Sequence, residues 1–123
     1  MPDESILGAV APALAGADFA VILKSPMRRR GRHFSLFWRS SISPRLGTVV
    51  SRKLAGSSVR RNLVKRHARA LFQEWCVRQG ASGCVDVVLR VTADIRGLSR
   101  AAEFSEISSL FSAFALLRAE AGN

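Results

Sequence analysis

Arg61, Asn62, Lys65, Arg66 and Arg69 recur at spacings of three and four, the separation of neighbours on one helix face. Guanidinium and ammonium groups set side by side hold phosphate oxygens; they do not break bonds. Arg52, Lys53 and Arg60 stand just upstream and extend the same charge. Asn62 adds a compact donor and acceptor suited to a ribose, a phosphate or a base edge. An ordinary solvated helix face interleaves Glu with Lys, and here no acid appears until Glu74. Arg60 and Arg61 also fall in the opening turn, where the helix dipole disfavours a cation by roughly 0.3–1 kcal/mol. A helix N-terminus lined with arginines instead suits an anion.

The wider composition agrees. From Phe19 to Gln73 there is no Asp or Glu, and 14 of the 19 Lys and Arg residues lie in that run. The formal charge is +10 and the pI about 11.5, which points to nucleic acid or an anionic surface. No apolar run approaches the roughly 18 residues of a spanning helix, so no membrane partner is expected. Asp3 and Glu4 stand where a secretory signal needs positive charge, and a cytoplasmic location is expected. Cys76 and Cys84 form no CxxC and, with two histidines, no convincing metal set; they read as free thiols. No paired carboxylates, nucleophile–base pair or Gly-rich phosphate loop emerges. No catalytic residue, metal site or small-molecule substrate is therefore expected.

The elements that must position these groups follow from pattern. Residues 1–12 read as a loosely ordered segment, 13–118 as one RNA-binding domain and 119–123 as a tail. Mixed helical spacing of Leu14, Phe19, Ile22 and Leu23 predicts a short helix over 13–24, stopped by Ser25-Pro26. Met27–Arg32 reads as a basic loop. His33–Trp38 and Leu46–Arg52 read as strands, and their short connection makes an antiparallel hairpin the default. Ser57 or Ser58 caps a helix running to about Arg78, closed by Gly80 and Gly83. Its apolar face takes Val64, His67, Ala68, Leu71 and Trp75, with Leu63 at the edge. Val85–Val91 is apolar enough for a strand buried on both faces, and Ser99 caps a last amphipathic helix. The expected fold is α+β, a small mixed sheet packed with helices in the order α-β-β-α-β-α. Alternation sends Phe34 and Leu36 to one sheet face and Phe37 to the other, so one set is a candidate stacking surface for unpaired bases.

Leu46–Lys53, a short loop and Val59–Arg69 together closely resemble the bacterial ribonuclease P protein subunit. That family's pattern is a strand ending in a basic pair, then Arg-Asn-x-x-Lys-Arg-x-x-Arg on a helix. The resemblance runs from about Leu14 to Leu117 and takes in Asp18-Phe19, Arg32–Phe37 and the Asp86-Val87-Val88 strand. It implies a left-handed crossover through the central helix between parallel strands, an exception to the usual hand. It implies assembly with a catalytic RNA subunit that removes the 5′ leader of precursor tRNA using Mg²⁺ held mainly by the RNA. Carried over residue by residue, the RNA-binding set is Arg52, Lys53, Arg60, Arg61, Asn62, Lys65, Arg66 and Arg69. The leader-binding set is Phe19, Leu23 and Phe37, with Arg32 and Phe34 beside them. Leu63 departs from the pattern, since many members carry a third basic residue there; Arg60 and Lys65 are the residues able to compensate. The alternative is a ribosomal or other structural RNA- or DNA-binding protein. A helix-turn-helix reader would need a second helix before the basic one, where this chain has strand sequence.

Overall fold

The computed structural model describes residue 14 and residues 16–79 and 84–121, with side chains to residue 119. The segment at 1–12, the start of the first helix at 13 and the glycines at 80 and 83 lie outside the described residues. The elements run α1 (Gly16–Ile22), β1 (Arg28–Arg30), β2 (Phe34–Ser40), β3 (Arg45–Val49), α2 (Arg52–Ala55), α3 (Ser58–Gln79), β4 (Val85–Val91) and α4 (Arg100–Ala121). The fold is α+β, as the pattern predicts. Three local expectations are corrected. The basic stretch after Met27 contains a strand, β1; Arg52 and Lys53 begin a helical turn, α2, rather than ending a strand; and α4 continues past residue 118.

The largest correction concerns pairing. The sheet order is β1-β2-β4-β3, with β2 antiparallel and β3 parallel to β4, so β2 and β3 form no hairpin. The reason lies in β4, whose Val85, Val87, Val88 and Leu89 are fully buried. A strand apolar on both faces is best satisfied at the sheet centre, with a neighbour on each edge. Four connecting residues at roughly 3.3 Å each can step across the two strand spacings, about 9.6 Å, that separate β2 from β3.

Local capping follows the sequence closely. Ser57 Oγ accepts from Arg60 N (3.1 Å) and starts α3; Ser99 Oγ accepts from Ala102 N (3.1 Å) and starts α4. Ser51 Oγ accepts from Leu54 N (3.2 Å) and starts α2, which Gly56 ends at φ 89°, a conformation that favours glycine.

The main core lies between the sheet and the pair α3–α4. Phe34, Leu36 and Trp38 of β2 and alternate valines of β4 face Val64, Ala68, Phe72 and Trp75 of α3 and Ile107, Phe111 and Phe114 of α4. Phe114 sits between Trp38 (5.0 Å) and Trp75 (4.8 Å), ring centre to ring centre. Each such fully buried side chain contributes about 1.5–3 kcal/mol relative to exposure. Leu63 packs as its edge position predicts, and the buried face of α3 adds Phe72 and Cys76 to the expected Val64, Ala68, Leu71 and Trp75. Glu106 of α4 ties the layers together, accepting from His33 N (2.6 Å) and Phe34 N (3.0 Å) at the start of β2. The opposite sheet face carries the smaller cluster of Leu14, Ile22, Phe37 and Val88, flanked by Phe19, Leu23 and Val49.

Candidate nucleic-acid interface

The motif residues occupy the N-terminal half of α3, where the helix buries Leu63, Val64 and Ala68 between them. Asn62 and Arg66 are exposed; Arg61, Lys65 and Arg69 are half-buried at the margin; Arg52 and Lys53 are exposed on α2 just before them. Arg61 is steadied by a hydrogen bond from Nε to the Val50 carbonyl (3.1 Å), which leaves its terminal nitrogens as donors. No carboxylate among the described residues pairs with Arg61, Lys65 or Arg66.

Arg60 corrects the expectation. It turns inward, its Nη2 2.7 Å from Oε1 of fully buried Glu103, which also contacts His67 Nδ1 at 2.7 Å. Arg60 and Glu103 touch as charges but without hydrogen-bond alignment. The acid that offsets Arg60 in the opening turn comes from α4, 43 residues away in sequence. His67 accordingly sits at the boundary of the core, as its place on the apolar face predicts, with Phe104 edge-on at 5.1 Å.

The aromatic set divides between the two sheet faces. Phe34 is fully buried in the main core beneath α3 and α4, so it presents no ring to a base and leaves the leader-binding set. Phe37 lies on the α1 face, 6% exposed, with the Arg28 guanidinium 5.5 Å from its ring centre. It supports that surface from below. Phe19 and Leu23 are half-buried beside it, and Arg32 is exposed on the turn between β1 and β2. Gly47 is needed there: a Cβ would stand 2.5 Å from Phe19 Cζ, so its absence makes the seat for that ring.

Strand register shows what residue patterns missed. On the α1 face the rows across the sheet read Arg28–Phe37–Val88–Gly47 and Arg30–Ser35–Arg90–Val49, adding exposed Arg28, Arg30 and Arg90 to the surface around Phe19. The third row is Arg39–Asp86–Arg45. Asp86 is nearly inaccessible and accepts from Arg39 Nε (2.9 Å), Arg45 Nε (2.8 Å) and Arg45 Nη2 (2.8 Å), while Asp18 of α1 closes over both arginines at 3.1 and 3.6 Å. Burial alone raises the Asp86 pKa, but hydrogen bonds from Arg45, Arg39 and Ser41 outweigh it and hold the carboxyl below its ordinary value. The alternation of Arg39 with Trp38, and of Asp86 with Val85 and Val87, was the available signal for this row.

Neither Cys76 nor Cys84 is in a disulfide. Among the described residues no three of His, Cys, Asp and Glu come together as a metal set, and no helix is long and apolar enough to cross a membrane.

Together these features define a small α+β domain with a cationic helix and a second cationic surface on the far side of its sheet. The family described as Ribonuclease P matches residues 14–115, and the chain belongs to that family. It is 36% identical over 112 residues to the ribonuclease P protein component of Azoarcus sp. (strain BH72), covering 89% of each chain. It is 43% identical over 78 residues to that of Ralstonia pickettii (strain 12J), covering 62% of this chain and 54% of the relative, about half its length. The fold matches the RNase P protein of Staphylococcus aureus (TM-score 0.66, 23% identity, 85% of this chain and 95% of that one). It also matches that of Thermotoga maritima (TM-score 0.61, 23% identity, 83% and 96%).

Proposed function

We propose that this chain is the protein subunit of a ribonuclease P, binding the catalytic RNA through the outward face of α3 and the 5′ leader of precursor tRNA across the α1 face of the sheet. The observation that carries the reading is the set Arg61, Lys65 and Arg66, aligned on one helix and paired with no described carboxylate inside a chain of this family. In that assembly the RNA with its Mg²⁺ supplies the chemistry of leader removal. This chain's residues screen and orient. Arg61, Asn62, Lys65, Arg66 and Arg69, with Arg52 and Lys53 beside them, neutralise phosphates of the RNA and so lower the repulsion between two polyanions. Phe19 and Leu23, backed by Phe37 and flanked by Arg28, Arg30 and Arg32, hold single-stranded leader and favour precursor over mature tRNA.

Neutralising phosphates releases counterions, so affinity falls with a logarithmic salt slope of about −0.7 to −0.9 per contact. Arg61→Ala combined with Lys65→Ala is expected to flatten the slope for a bacterial ribonuclease P RNA by about 1–2 units. An unchanged slope removes this face from the interface. Cleavage of 5′-extended tRNA in Mg²⁺ that needs the RNA and improves with the protein supports the assignment; cleavage by the protein alone refutes it.

A further inference from the structure

A cleft of about 250 Å³ opens where the first turns of α3 and α4 meet the 94–98 turn. Arg60 and Arg66 of α3, Arg96 of the turn and Arg100 at the start of α4 line it, with Ser57 and Leu63 between them and no carboxylate in the lining. Four cations converge from three segments, and only two have partners. Arg96 is held by Asp94 (2.8 Å) and Arg60 by Glu103 (2.7 Å); Arg66 and Arg100 have no carboxylate partner among the described residues. Arg60 is the floor: its Nε and Nη2 are buried and have no aligned hydrogen-bond acceptor. Arg100 also stands in the first turn of a 22-residue helix, where the dipole disfavours a cation and favours an anion. The acid of that turn, Glu103, is buried against Arg60 and His67 and makes no ion pair with Arg100. Gly56 leaves room for Arg96 to lie against the α2–α3 loop, since a Cβ there would meet Arg96 Cγ at 3.0 Å.

We propose that this cleft seats one backbone phosphate of RNA, extending the interface beyond the basic motif onto the first turn of α4. The cleft is smaller than the roughly 300–1,000 Å³ of pockets that hold whole small molecules, which suits a phosphate with its water rather than a nucleoside. Arg66 and Arg100 supply the direct donors, and Arg60 and Arg96 the fixed charge around them. The RNA as source rests on the function proposed above.

The test uses the full chain and a bacterial ribonuclease P RNA transcript. Arg96→Gln combined with Arg100→Gln is expected to weaken binding several-fold at moderate salt and to reduce the salt slope by about 1 unit. Thermal stability should hold or rise, because a cation leaves the start of α4. The Arg96→Lys, Arg100→Lys double variant should restore the slope, which a purely structural role would not predict. A slope equal to the parent's in the Gln variant, while Arg61→Ala with Lys65→Ala still flattens its own, overturns the seat and leaves the proposed function standing. Absence of salt-dependent RNA binding by the parent protein overturns both. Nitrogen-15 resonances of the arginine Nε groups separate the sources. A short RNA oligonucleotide should shift Arg60 and Arg100; shifts with inorganic phosphate at constant ionic strength but not with the oligonucleotide refute an RNA seat.

Discussion

The two faces of the sheet are built from the same strands, one residue out of step. On the α3–α4 face β2 contributes Phe34, Leu36 and Trp38, all buried against aromatic rings of two long helices. On the α1 face the intervening residues are Ser35, Phe37 and Arg39, joined by Arg28, Arg30, Arg45 and Arg90 from the neighbouring strands. Among the described residues a seven-residue helix covers only part of that face, and its charge is either paired with Asp86 and Asp18 or exposed. Strand alternation thus separates the aromatic side chains of the main core from the charged side chains of the α1 face.

The comparison breaks most visibly at Phe34. Phe34→Ala should cost about 3–5 kcal/mol of stability, measured by denaturant unfolding, because a ring is lost from a core that closes only partly around the gap. A loss under 1 kcal/mol would mean that this face is not the core. Asp86→Asn is next, at about 2–4 kcal/mol, since charged hydrogen bonds are lost and Arg39 and Arg45 are left facing each other. Acid should reproduce part of that loss. A carboxyl held below its ordinary value stabilises the fold above the unfolded pKa, near 4, and that contribution disappears as pH falls through the lower folded value. In the parent, stability should therefore drop on the acid side of pH 4, and the drop should be smaller in Asp86→Asn; equal drops would assign the acid sensitivity elsewhere.

Phe19→Ala sharpens the contrast, because its expected effect is on binding. Affinity for leader-bearing tRNA should fall by about 1–3 kcal/mol while mature tRNA is unaffected. Gly47→Ala should give a smaller loss in the same direction, because the new methyl displaces the Phe19 ring. Equal losses for both tRNAs would return Phe19 to a packing role. The smallest effect concerns the core-facing thiol. Burial pushes Cys76 up to about 11, so a thiol-alkylating reagent at pH 8 should label half-buried Cys84 in the native protein and Cys76 only after unfolding.

The motif face was legible because helix periodicity needs no tertiary information: residues three and four apart share a side wherever the helix lies. Caps were legible for the same reason, since Ser57 and Ser99 act on backbone three residues away. The doubly apolar run of β4 announced a central strand, yet its neighbours could not be read from it. The short 41–44 connection suggested a hairpin, and only the demand of β4 for a partner on each edge explains why β2 and β3 are apart.

Charge pairing was the least legible feature. The acid-free run from Phe19 to Gln73 identifies an excess of cations, but Asp18, Asp86 and Glu103, all outside that run, neutralise Arg39, Arg45 and Arg60. Local pattern alone established a basic α+β domain, the outward helix face of Arg61 to Arg69 and the family to which it belongs. Which strand lies between which others, which aromatic sits over which face, and which arginines remain uncompensated were decided by the fold. Periodicity acts over a few residues, whereas strand neighbours and ion partners are chosen by contacts between segments dozens of residues apart.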